Sequence, residues 1–200
     1  MTAPTFPTGR YGVTLGRRVL QQLRTTLERD AGLQAAAYLQ EAGFAGGEAL
    51  YDAYAAWLRD ATGIDRPAAL DAAHLSEMLS RFLGELGWGS IAVTPLGGAA
   101  LALDSADWAE AVDGAGAEYP CCHLSCGLLA DLLGRISGEL VGVMEVECRS
   151  RGDGRCRFIA AAPETLAAMY ERMAQGMSYS DALGLDGGAA GGANGSASPT

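Results

Sequence analysis

The chain has 200 residues, 49% of them apolar, a formal net charge of −10 and five cysteines. That is enough apolar material for one core of ordinary density, which excludes a disordered chain. The acidic balance argues against nucleic acid as a partner, because affinity for a phosphate backbone comes from Lys and Arg displacing counterions.

In chain order, residues 1–10 hold prolines and threonines but no apolar run of a signal peptide, and a flexible N-terminus is expected there. Leu15, Val19, Leu20, Leu23 and Leu27 recur at three- and four-residue steps, which predicts an amphipathic helix from Val13 to about Asp30, stopped at Gly32. A second helix is expected over Leu33–Ala42 and a third over Glu48–Ala61, with Gly43, Gly46 and Gly47 separating them. Pro67 opens a fourth, whose stripe of Leu70, His74, Leu75, Met78, Leu79, Phe82 and Leu83 runs to about Leu86.

After Gly87 the pattern changes to two short strands, Ser90–Thr94 and Ala99–Leu103. Pro120 precedes a helix from Cys121 to about Ser137. Strands at Leu140–Arg149 and Arg155–Ala161 flank the turn-forming Arg151-Gly152-Asp153-Gly154. The arginines at 149, 151, 155 and 157 read as a solvated hairpin end. Pro163 opens a last helix to Met173, and a short segment with Tyr179 and Leu183 follows. Residues 186–200, rich in Gly, Ala and Ser, read as a disordered tail. The expected fold is α+β: one domain over 11–185, a helical first half, then a small, mostly antiparallel sheet with packed helices. No stretch reaches the roughly 18 uninterrupted apolar residues of a membrane span, and a soluble, cytoplasmic protein is expected.

All five cysteines lie between positions 121 and 156. An odd number without a secretory signal points to reduced thiols or metal ligands. Glu145, Cys148 and Cys156 form E-x2-C-x7-C, and a hairpin centred on Gly152 places Cys148 opposite Cys156. A regular strand would send Glu145 and Cys148 to opposite faces, so joint ligation requires a bulge near Glu147. Cys122, just inside the helix after Pro120, is the natural fourth donor if that helix packs across the hairpin. Three thiolates and a carboxylate close a zinc shell, and a closed shell is structural. Other assignments stay open at this point. Cys126 shares a helix face with Cys122, His123 is a legitimate donor, Glu147 can replace Glu145, and Cys148 with Cys156 can form a cross-strand disulfide. An iron–sulfur cluster ranks below zinc because the short C-x2-C runs are missing. Cys121 and Cys126 read as buried small apolar side chains.

Pro120, Cys122, Gly127, Glu145, Cys148, Gly152 and Cys156 together resemble the motif of the 4-vinyl-reductase domain, a small-molecule-binding family. The family is related in fold to transport-particle subunits and to the sensor domains of phenol-responsive bacterial activators. The resemblance runs from about residue 10 to 185 and is strongest over 120–180. It implies zinc on Cys122, Glu145, Cys148 and Cys156. The stretches 120–131 and 143–150 are most similar to members that serve bacteriochlorophyll biosynthesis, which implies a magnesium tetrapyrrole as ligand. That places bacteriochlorophyll-synthesis enzymes, and a second copy in a homodimer, among the expected partners.

The family name implies vinyl reduction, yet no hydride-donor site is encoded. Gly114 and Gly116 lack the third glycine and the helix start of a dinucleotide fingerprint. There is no G-x-S-x-G elbow or H-E-x-x-H helix, and the chain has two histidines in all. The residues therefore favour a tetrapyrrole carrier over catalysis. A reductase borrowing electrons from a partner and a small-aromatic sensor are the alternatives. Trp57, Phe82, Trp88 and Trp108 are candidate wall residues for a ring ligand, and His74 or His123 for its central magnesium.

Overall fold

The structure is a computed structural model and is described here for residues 15–185. The expectations for residues 1–10 and 186–200 lie outside the described residues, as does the predicted helix start at Val13.

Helix α1 (Arg17–Ala31) ends where Gly32, at φ +57°, donates its N–H to the Glu28 carbonyl, as the sequence implied. Its apolar stripe is not core, however. Leu15, Val19 and Leu23 are about half exposed, and the one buried residue of the helix is Arg24.

The two helices expected over 33–61 are a single helix, α2 (Gln34–Thr62). The glycines do not break it, because they are where another helix touches. A Cβ on Gly43 would lie 2.0 Å from the carbonyl oxygen of Leu124, and one on Gly47 would lie 2.4 Å from Asp131 Cβ. From the other side, a Cβ on Gly127 would lie 1.9 Å from the Gln40 carbonyl oxygen. Each interior glycine costs about 0.5–1 kcal/mol of helix stability, which is offset by letting the two backbones meet.

Pro67 opens only a short 3-10 turn, Pro67–Ala69. Helix α3 (Ala72–Glu85) starts at Asp71, whose carboxylate accepts the His74 N–H, a stronger start signal than the proline. The chain then forms β1 (Ala92–Leu96), β2 (Ala100–Ser105), a long connection, α4 (His123–Ser137), β3 (Gly142–Glu147), β4 (Cys156–Ala161), α5 (Pro163–Ala174) and the short α6 (Tyr179–Ala182). The four strands make one sheet in the order β1-β2-β4-β3, every pair antiparallel.

Period-two alternation gives the sheet two apolar faces. One, with Val93, Leu103, Val143, Phe158 and Ala160, packs under α2, α3 and α4. The other, with Ala100, Ala102, Val146 and Ile159, is covered by Leu166 and Met169 of α5 and Ala182 of α6. The mixed helical and antiparallel architecture is the α+β arrangement expected. No helix of the described residues is long and apolar enough to cross a membrane.

The arginines around the hairpin are paired rather than free. Arg149 pairs with Asp113, Arg151 with Asp153, Arg155 with Glu147, and Arg157 with Asp104. At the head of the long connection, Asp107 accepts the N–H and hydroxyl of Ser90 and the hydroxyl of Ser105. Desolvation alone would raise its pKa, but these donors outweigh it and hold the carboxyl below its usual range. An acid whose folded pKa is depressed contributes stability above its unfolded pKa, near 3.9, and loses it as pH falls through the folded value. Asp107→Asn is therefore expected to lower stability at pH 7 by under about 1 kcal/mol after solvent screening. The difference from wild type should vanish by about pH 3, as checked by urea unfolding at the two pH values.

Candidate metal centre

The hairpin supplies the first part of the centre. From Val143 to Glu145 strand β3 pairs in regular register with β4, but Glu145 faces Phe158 and Glu147 faces Arg157, so Val146 is an extra residue. This is the bulge that the spacing required. Val146 goes into the α5 side of the sheet, and Glu145 stays on the α4 side with Cys148. Cys148 and Cys156 are the next positions along the hairpin. Its tip is a 3-10 turn at Arg149–Arg151 closed by Gly152 at φ +105°, with Asp153 accepting the Cys148 N–H at 2.7 Å.

Helix α4 supplies the rest. Cys122 is its N-cap residue, not its first turn, because the helix starts one residue later than expected. The Cys122 N–H donates to Glu145 Oε2 at 2.8 Å, and the Cys122 and Cys148 sulfurs are 3.9 Å apart. One ligand atom from each of Cys122, Glu145, Cys148 and Cys156 lies within 4.8 Å of the other three, and all four residues are buried.

Two features show that this set fits a cation. Glu145 Oε1 is buried without any hydrogen-bond partner, which would cost on the order of 1–3 kcal/mol unless something else engages it. Burial, with the Cys148 charge adding to it, pushes the Glu145 carboxyl up to about 8. Cys148 is driven the other way, because Cys121, Cys122 and Cys156 all direct S–H groups at its sulfur. An anionic carboxylate beside gathered sulfur charge is stable when a dication sits between them. Three sulfurs and an oxygen in a closed set suit zinc, which takes about four such donors in structural sites. Bound there, zinc would cross-link α4 to the hairpin.

The remaining sequence candidates fall outside the set. Glu147 bonds Arg155 at 2.8 and 3.1 Å and also receives the Tyr179 hydroxyl, all on the opposite side of the sheet. Cys126 is buried one turn beyond Cys122. All five cysteines are free thiols. His123 is half-buried as the first residue of α4, and desolvation lowers its pKa, which keeps the ring neutral at pH 7. His74 is exposed and bonded to Asp71. Phe82 and Trp108 are fully enclosed, whereas Trp57 and Trp88 are half-buried. Trp88 stacks on Trp108 at 5.6 Å, and Trp57 lies 5.7 Å from Phe82.

One residue that positions the centre has no signal in the sequence. Glu110, in the long connection, is 4% exposed and accepts the N–H of Leu124 at 3.1 Å and of Ser125 at 2.8 Å, together with the Ser125 hydroxyl. Ser125 in turn accepts the Trp108 indole N–H at 2.7 Å. Glu110 thus caps α4 from outside the helix and holds its positive end, with Cys122, over the hairpin. Burial raises the Glu110 pKa.

A buried three-cysteine, one-carboxylate centre clamped between a helix N-terminus and a sheet hairpin defines an α+β domain suited to metal binding. Residues 107–162, which contain all four of these donors, match the family model of the 4-vinyl-reductase domain, and the chain carries a domain of this type. Two solved structures share the fold. The phenol-responsive sensory domain of the transcription activator PoxR, solved with phenol, matches at 16% identity and TM-score 0.55, covering 76% of this chain and 77% of that one. Trafficking protein particle complex subunit 3 from Naegleria fowleri, covalently bound to palmitic acid, matches at 13% identity and TM-score 0.56, with coverages of 72% and 91%. A vinyl-4-reductase family protein from Methanocaldococcus jannaschii is similar at 19% identity and TM-score 0.45, also over 72% and 91%. No curated protein matches the chain in sequence.

Proposed function

We propose that the chain is a cytoplasmic, zinc-containing protein of the 4-vinyl-reductase domain type, a single unit over 11–185. Its ligand is a magnesium tetrapyrrole of the protochlorophyllide or divinyl chlorophyllide type, which it carries to bacteriochlorophyll-synthesis enzymes rather than reduces. The observation that supports zinc is the buried four-donor set with its unpartnered Glu145 oxygen. A closed set leaves no position for an activated water, so the metal has a structural role in this reading. The ligand assignment rests on the sequence resemblance and on an aromatic core. Trp57 and Trp88 are the two candidate rings that reach the surface, and the neutral, half-buried His123 is the better placed histidine to meet a magnesium ion.

Absorbance titration with protochlorophyllide is the test. Saturable binding is expected near micromolar, with a shifted Soret band and quenched tryptophan fluorescence. A ring burying several hundred Å² at roughly 25 cal/mol per Å² can support such affinity after association costs. With NADPH and a divinyl substrate, the chain alone is expected to give no product. Pigment binding no better than to an unrelated acidic protein would refute the carrier, and turnover lost on heating would replace it with the reductase. Because a structural neighbour was solved with phenol, phenol is the comparison ligand. Tight phenol binding without pigment binding would favour a small-aromatic sensor.

A further inference from the structure

A fifth thiol stands against the four-donor set. Cys121 Sγ lies 3.9 Å from Cys148 Sγ, the same separation as Cys122 Sγ. Two sulfurs bound to one tetrahedral zinc at about 2.3 Å are about 3.8 Å apart. Cys148 therefore has two neighbours at coordination spacing, on consecutive residues, although Cys121 is not one of the four that converge.

The second observation is Arg24. Its side chain is 9% exposed, and its Nη1 donates to Cys121 Sγ at 3.0 Å and to the Glu110 carbonyl oxygen at 3.4 Å. Its Nε is buried with no hydrogen-bond partner. The nearest carboxylate, Glu28, is 3.7 Å away and 46% exposed, while the Glu110 carboxylate is taken up by the start of α4. Burying a guanidinium against a neutral thiol is unfavourable. Placed against a metal-bound sulfur, it gains a charge-assisted hydrogen bond.

We propose that Cys121 is a reserve zinc ligand, able to take the fourth position from Glu145, with Arg24 as its counter-charge. The inference rests on the zinc reading above. In the exchange the Zn–O bond to Glu145 breaks, a Zn–S bond to Cys121 forms, and the thiol proton passes to the released carboxylate. The net charge of the centre is unchanged. Glu145 is the ligand that leaves, because it is the hard oxygen donor in a soft sulfur set. Its other oxygen is already held by the Cys122 N–H.

Cobalt(II) substitution of the whole chain tests this, since the intensity of the sulfur-to-cobalt charge-transfer band follows the number of Co–S bonds. Glu145→Ala is expected to keep one cobalt per chain and to raise the band by about one third, from three bonds to four. The double variant Cys121→Ser/Glu145→Ala should return to the wild-type band, and Cys121→Ser alone should match wild type. A second readout needs no change at Glu145. Cadmium, a softer ion, should draw Cys121 into the unsubstituted protein and give the cadmium NMR shift of a four-sulfur site, moving to that of a three-sulfur site in Cys121→Ser. A wild-type band in Glu145→Ala, or a cadmium shift indifferent to Cys121→Ser, overturns the reserve ligand and leaves zinc standing. Failure of the wild-type chain to bind any of the three metals overturns both.

Discussion

Cys148→Ser is expected to leave the chain without zinc and to lower its unfolding free energy by more than about 4 kcal/mol. Cys148 is fully buried, and it is the sulfur on which the other thiols converge. Serine there offers a poor zinc donor and a hydroxyl with no water to meet. The loss exceeds that of an ordinary core substitution because the binding free energy of a structural metal is folding free energy. Elemental analysis of protein purified without chelator should give one zinc per wild-type chain and none for the variant, with a matching fall in Tm. Cys121→Ser is the control and should keep its zinc. Metal retained in Cys148→Ser, or lost in Cys121→Ser, would mean that the ligand set is misassigned.

Gly127→Ala is the second large effect, expected to cost about 3 kcal/mol or more and to lower Tm by roughly 10 °C. The added methyl would sit 1.9 Å from the Gln40 carbonyl oxygen and 2.7 Å from the Phe44 nitrogen, both backbone atoms of α2 that cannot swing aside. The two helices must separate. Since Cys122 stands at the start of α4, zinc affinity should fall as well. Gly46→Ala is the contrast, because its Cβ meets only the flexible tip of Leu128 at 3.4 Å. That substitution should be neutral or stabilising by up to about 1 kcal/mol, as alanine is the better helix former. Thermal unfolding of the pair separates packing from propensity.

The same glycines mark where sequence reasoning loses information. Gly43 and Gly47 read as breakers because, along one chain, a glycine that ends a helix looks the same as one that admits a neighbour. The difference lies in residues 124–131, some eighty positions away. Glu110 escapes a sequence reading for a similar reason, since nothing local ties it to Leu124 and Ser125. The stripe on α1 is legible as helical but not as half exposed, because its buried member is an arginine whose partner, Cys121, is 97 residues distant. The candidate metal centre is legible because its signal is local. Three of its four donors fall within twelve residues, and the need for a bulge between Glu145 and Cys148 follows from side-chain alternation alone. Only Cys122 requires a guess about how a helix packs.

That local spacing bears on the order in which the molecule assembles. Glu145, Cys148 and Cys156 belong to one hairpin, whose ends meet after closure of a short loop. Closing a loop costs entropy that grows only slowly with its length, but contacts across many residues form later than near ones. A nascent chain can therefore capture its metal on the hairpin first and recruit Cys122 afterwards, drawing α4 onto the strands with the ion already in hand. The glycine crossing of α2 and α4 would then be among the last contacts made. Metal added during refolding should accelerate the slowest phase more than metal added to a chain already collapsed.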